Sequence, residues 1–251
     1  MFGKTIRDLA LAMACYALLP AAALAQAAPS AQSAKPAQAH YDVYDAMIGG
    51  MDLAALTDTA ADSIFDGLVR NEPSFSSLAK DKPQLRDRFR AIARPYLRVW
   101  LERSTTVRRD QIAQSLAAKL TLAEAREIAD FYSSPLGRKL LSAITGNLSL
   151  DATVDTAIAG KSGFGASKAR ATDENRTMDK AMKQLLPSLT PAEQAQILKY
   201  GQTKGFAKLP LVSKAFEEIP EPTIDEISTA EEREAFRKDL AGFFAEMMQK
   251  R

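Results

Sequence analysis

The sequence of 251 residues holds one Cys, one His and one Trp, and its 33 Lys and Arg are nearly balanced by 31 Asp and Glu. Each scarcity removes a class of function. One Cys cannot close an internal disulfide, and zinc sites usually draw on several Cys or His ligands. A Ser-His-Asp triad would have to use His40, the only histidine. A formal charge of +2 is too small to hold nucleic acid by bulk charge. Sustained two-residue alternation of apolar and polar positions is missing as well, so no strand is predicted. No metal site or nucleic-acid partner is therefore expected. What the chain has is apolar surface. At 46% hydrophobic residues it can offset the entropy of ordering a core.

The first residues read as an export signal. Lys4 and Arg7 precede an uncharged apolar run from Leu9, and Ala23-Leu24-Ala25 offers the small residues a signal peptidase requires. Residues 1–25 are expected to be a signal peptide cut after Ala25. The run from Leu9 to Ala25 contains Pro20 and is shorter than the ~20 residues of a membrane helix, so the mature chain is expected to have no transmembrane span. Cys15 lacks the usual Leu three places before it, which disfavours a lipoprotein anchor. Cleavage would leave no Cys in the mature protein. Residues 26–39, rich in Ala, Gln, Pro and Ser, read as a flexible tether with His40 at its edge.

Beyond the tether the pattern is helical. Leu53, Leu56, Ala60, Ile64 and Leu68 share one face, and Asn71-Glu72-Pro73 ends that helix. Leu85, Phe89, Ile92, Tyr96 and Val99 form a second stripe, in which Pro95 must kink the helix or start a new one. Ile112, Leu116 and Leu120 continue it, Asp173–Leu186 buries Met178, Ala181, Met182 and Leu185, and the last helix buries Phe236, Leu240, Phe243, Phe244 and Met247. The fold class is all-α, an antiparallel helix bundle. Thr121 with Glu124 and Thr190 with Glu193 spell capping boxes, in which each side chain satisfies a free N–H at a helix start.

These boxes belong to a longer echo. Leu120, Thr121, Ala123, Glu124 and Ile128 reappear 69 positions later as Leu189, Thr190, Ala192, Glu193 and Ile197. Tyr132 and Gly137 then match Tyr200 and Gly205 at 68, with one deletion. Two related helix-turn-helix units follow, expected at 40–160 and 173–251, packed on each other and joined by a surface connection at 161–172.

Thr121 and Glu124, followed by Phe131, Tyr132, Ser134, Pro135, Gly137 and Lys139, carry a resemblance. A Thr-capped helix and then Phe-Tyr-x-Ser-Pro-x-Gly-x-Lys resembles bacterial domain-of-unknown-function family 2059, across residues 85–150. The resemblance implies a helical, exported protein of a Gram-negative periplasm and brings no catalytic residue or cofactor. Read from the residues alone, the motif is a tight corner: Ser134 caps a helix whose first position is Pro135. Gly137 would let Phe131 or Tyr132 pack against its backbone.

Two short motifs are decoys. Gly160-Lys161-Ser162 ends like a P-loop, but Asp155 stands where the first Gly belongs. Ser77-Leu78-Ala79-Lys80 has no Lys-Thr-Gly downstream. Charge patterning says more. Asp58, Asp62 and Asp66 step by four along one helix and read as a solvated acidic face. Arg86, Arg90, Arg94 and Arg98 step by four along another, inside a segment (80–109) with ten basic and three acidic residues. Residues 217–234 hold eight acidic residues and one basic. The arginine stripe is a solvated face, a dock for that acidic block, or the site of an anionic envelope component or protein. The expected function is non-enzymatic binding or scaffolding in the cell envelope. A carrier of a lipid or other apolar ligand is the alternative, and a hydrolase working with carboxylates alone the third.

Overall fold

A computed structural model describes residues 35–71, 73–158, 164–219 and 222–249. The signal peptide, most of the tether and Gly160-Lys161-Ser162 lie outside the described residues. The helices in chain order are α1 (Gln38–Gly49), α2 (Leu53–Asn71), α3 (Pro73–Asp81), α4 (Leu85–Ala117), α5 (Leu122–Ser133), α6 (Pro135–Gly146), α7 (Asp151–Ile158), α8 (Phe164–Leu185), α9 (Pro191–Tyr200), α10 (Lys204–Ala207), α11 (Leu209–Glu218), α12 (Ile224–Ile227) and α13 (Ala230–Gln249). Among the described residues there is no strand, and the chain is all-α.

Two compact units form, each from three stretches of chain. The first takes residues up to Asp52, Val107–Leu148 and Glu174–Glu221; the second takes Leu53–Thr106, Ser149–Asp173 and Pro222 onward. This differs from the contiguous segments 40–160 and 173–251. Apolar faces, not chain order, decide which helices share a core. The expected connection at 161–172 also changes, because α8 already begins at Phe164. Helix α4 runs unbroken through Pro95, so neither a restart nor a boundary falls there.

The first unit's core is built on α1, the end of α4, and α5, α6, α8, α9 and α11, with Val43, Ile112, Leu116, Ile128, Tyr132, Leu141 and Leu209 fully buried. His40 belongs to it. The tether ends earlier than expected, and Ala39 and His40 are buried in α1. The ring Nδ1 accepts the Ala37 N–H at 3.1 Å, so the proton sits on Nε2, which faces the Leu120 carbonyl oxygen at 3.2 Å. Both ring nitrogens are thus committed to structure. Arg108 closes the other end of this core by donating to the carbonyls of Phe216 and Ile219 at the close of α11.

The second unit's core is aromatic. Phe65 packs on Phe75 and Phe89, and Phe89 meets Phe243, with centroids 5.2 to 5.9 Å apart. Phe236, Leu240 and Phe244 are partly buried against the same cluster, so the described part of the last helix's apolar stripe is core. Asp173 supplies this unit's buried carboxylate. It accepts the N–H groups of Ala152 and Thr153 at 3.0 and 2.7 Å, capping α7 from another helix. Only 3% of Asp173 is exposed, so truncating it strands two N–H groups away from water. Asp173→Ala is expected to lose about 2 kcal/mol of stability, and Asp173→Asn less, in chemical denaturation of the mature chain.

Candidate functional site

The motif residues come together at the corner between α5 and α6. Thr121 Oγ1 accepts the Glu124 N–H, and Glu124 accepts the Thr121 N–H at 2.8 Å in return. That bond, opposed by burial, holds the Glu124 carboxyl below its ordinary range. Ser134 Oγ accepts the Gly137 N–H and donates to the Phe131 carbonyl, so one hydroxyl closes α5 and opens α6. A β-carbon at Gly137 would stand 2.1 Å from the Phe131 carbonyl oxygen, which leaves room for glycine alone. Tyr132 is fully buried, and its hydroxyl is pushed up by desolvation. Lys139 reaches Glu193 at 3.0 Å and the Ser188 carbonyl at 2.8 Å. The motif therefore spends its polar atoms on holding helices.

The arginine stripe is partly exposed, and its partners do not come from the acidic block. It meets the other four-residue ladder. Arg94 pairs with Asp58 at 3.1 Å, Arg90 with Asp62 at 2.7 Å, and Arg86 with Asp66, also reaching Asp62 at 3.6 Å. The order 58, 62, 66 against 94, 90, 86 is that of two antiparallel helices in register. The three Asp are half-buried, so the solvated acidic face is corrected too. Arg98 turns to Glu102 on its own helix. The reading that residues 217–234 dock on the stripe fails for a simple reason: the stripe already has its partners. Within the acidic block, Glu232 takes Arg103 in a two-pronged pair, Glu218 takes Lys119, and Asp225 takes Arg233. The matched spacing of the two ladders was the signal, and only their pairing was missing.

At the Arg86 end of the ladder lies an open pocket of about 300 Å³. Phe65, Val69, Ala79 and Pro83 give it apolar walls. Ser76, Lys80, Asp66 and Arg86 bring polar atoms to it. The Arg86 guanidinium stacks 5.1 Å over the Phe65 ring while Asp66 holds its fork, so it is fixed in place. Lys80 is exposed and has no ion pair among the described residues. The result is an apolar pocket whose rim carries one neutralised and one free cation. Sequence reasoning found Arg86 but missed its grouping with Phe65 and Val69 of α2 and Lys80 of α3, because the four come from three helices. Among the described residues no three His, Cys, Asp or Glu gather to hold a metal, and no helix is long and apolar enough to cross a membrane.

Two outcomes follow from these pairs. Asp62→Arg and Arg90→Asp should each lower stability, and the exchanged double variant should regain it, with a coupling of ~0.5–1 kcal/mol by double-mutant cycle; Glu218→Lys should restore neither. Glu193 gives the second. Its carboxyl is held down at about 2, first by the Thr190 N–H, then by Lys139 and the Thr190 hydroxyl. A depressed carboxylate stabilises the fold above its unfolded value and stops doing so as pH falls through its folded value. The stability gap between the parent and Glu193→Gln should be constant above about pH 5 and close toward pH 2, as read from urea unfolding at each pH.

No curated relative and no solved structure matches the chain. One family model does. Residues 109–145, from the last turns of α4 through α6, match DUF2059, described as an uncharacterized protein conserved in bacteria, and this segment contains the whole Thr-capped Phe-Tyr-x-Ser-Pro-x-Gly-x-Lys corner.

Proposed function

We propose that this is an exported, non-enzymatic binding protein of the bacterial cell envelope, and that its ligand is a small amphiphilic anion held in the α2–α3–α4 pocket. The pocket carries the reading. Its walls suit a short alkyl or aryl group, and its volume suits a molecule of roughly a dozen heavy atoms. Lys80 and Arg86 suit a carboxylate or phosphate at the rim, where Asp66 neutralises one of the two cations. Several other polar groups are engaged in structure: His40 through both ring nitrogens, and Glu124, Ser134 and Lys139 in caps and ion pairs. Export rests on residues 1–25, whose basic start, apolar run and Ala-Leu-Ala end fit a cleaved signal. An anionic ligand keeps Arg86 as a binding residue, whereas Arg90 and Arg94 hold α4 to α2 and Arg98 pairs within its own helix.

The protein purified from the periplasmic fraction should begin at Gln26 and bind octanoate saturably, with octanol at least about tenfold weaker. Val69→Trp, which fills the pocket, and Lys80→Glu, which reverses the free rim charge, should abolish binding with the helical circular dichroism unchanged. Calorimetry decides: octanoate binding indifferent to both substitutions, or none at all, overturns the ligand. A full-length chain retained in the cytoplasm overturns the location.

A further inference from the structure

The matched segment has a counterpart in the same chain. Residues 178–214 repeat 109–145 at a constant spacing of 69, without the deletion that the sequence echo alone required. The caps set the register. Thr190 and Glu193 reproduce the Thr121–Glu124 box, with Glu193 N–H to Thr190 Oγ1 at 3.2 Å against 3.3 Å in the first. Thirteen residues past each Thr stands a second hydroxyl with two duties. Ser134 donates to the Phe131 carbonyl and accepts from Gly137; Thr203 donates to the Tyr200 carbonyl and accepts from Phe206. Thr203, not the neighbour of a shifted Tyr, is thus the counterpart of Ser134, and Tyr200 is that of Phe131. Buried leucines agree: Leu116 with Leu185, and Leu140 with Leu209.

The contacts between the two copies repeat the same symmetry. Phe131 and Tyr200, equivalent residues, stack face to face with centroids 4.0 Å apart and planes 8° from parallel. Only residues near a two-fold axis can meet their own equivalents. Lys139 of the first copy reaches the capping Glu193 of the second at 3.0 Å, and its equivalent Lys208 approaches the equivalent Glu124 at 3.9 Å. The symmetry is incomplete: α6 is continuous where the second copy splits into α10 and α11 at Lys208, Phe206 stands where the first copy has Gly137, and one contact between the copies differs. Gly205, counterpart of Leu136, donates its N–H to Glu127 at 2.6 Å, where a β-carbon would stand 2.9 Å from the Glu127 β-carbon.

We infer that residues 178–214 are a second, diverged copy of the DUF2059-matched hairpin, and that the face of the first copy bearing Phe131, Glu124 and Lys139 is a recognition surface for that hairpin, occupied here by the chain's own second copy. Gly205 makes the pairing directional: the second copy fits the first, whereas Leu136 would meet Glu127 if two first copies paired. The surface therefore accepts the same hairpin from another chain once its own is displaced.

Complementation between two full mature chains tests this. One carries Tyr200→Glu with Lys208→Glu, which spoils the second copy's face and sets like charge against Glu124. The other carries Phe131→Glu with Lys139→Glu, which spoils the first copy's face and sets like charge against Glu193. Each alone should be monomeric, and their mixture should give a one-to-one heterodimer in native mass spectrometry. Carbodiimide coupling should join Lys139 of the first chain to Glu193 of the second, and Lys208 of the second to Glu124 of the first. A mixture that stays monomeric, or a dimer lacking both links, overturns the inference. If either chain does not fold alone, the two are refolded together from urea: helical signal beyond the sum of separate refoldings supports the pairing, and none beyond that sum defeats it.

Discussion

The constraint on which this structure depends is that every helix must begin, and each beginning leaves backbone N–H groups without partners. A helical chain meets that problem again and again, and this one solves it by a small chemical vocabulary. Thr with Glu three residues on closes the starts of α5, α9 and α12. Ser134 and Thr203 close α6 and α10 while also binding the carbonyl behind them, so the helices turn sharply. Asp173 does the same for α7 from a different helix, and His40 supports the first turn of α1 through Ala37. The caps set where helices stop and therefore which apolar faces meet.

Charge follows the same economy. Long Arg side chains on an amphipathic helix repel when they recur every four residues, and the fold answers with a carboxylate ladder of equal period on the antiparallel neighbour. Each pair, a third to a half exposed, stabilises little by itself. Three in register do more, because sliding either helix by one residue breaks all of them together. The pocket lies at one end of the ladder, where the Arg86 guanidinium covers the Phe65 ring and Lys80 of α3 stands at the rim without an ion pair among the described residues.

Much of this was legible in the residues. The helical period, the Thr–Glu boxes and the corner at Ser134-Pro135 are local features, set by contacts within three or four positions, and a local reading finds them. The family motif was legible for the same reason. The echo between Thr121 and Thr190 was visible, but its register was not: Tyr132 and Tyr200 look alike, whereas the hydrogen bonds equate Tyr200 with Phe131. His40 looked marginal because the low-complexity stretch before it hid the start of α1.

By itself, then, the sequence determined that the chain is helical, where most helices begin, and which faces are apolar or charged, since propensity, capping and periodicity act over a turn or two. Tertiary structure alone decided the pairings. The scarce His became a buried strut, the two ladders became partners, and the second hairpin came to lie on the first about Phe131 and Tyr200. These outcomes depend on which surfaces meet across 20 to 80 residues of chain, and spacing along one helix does not say which distant helix will face it.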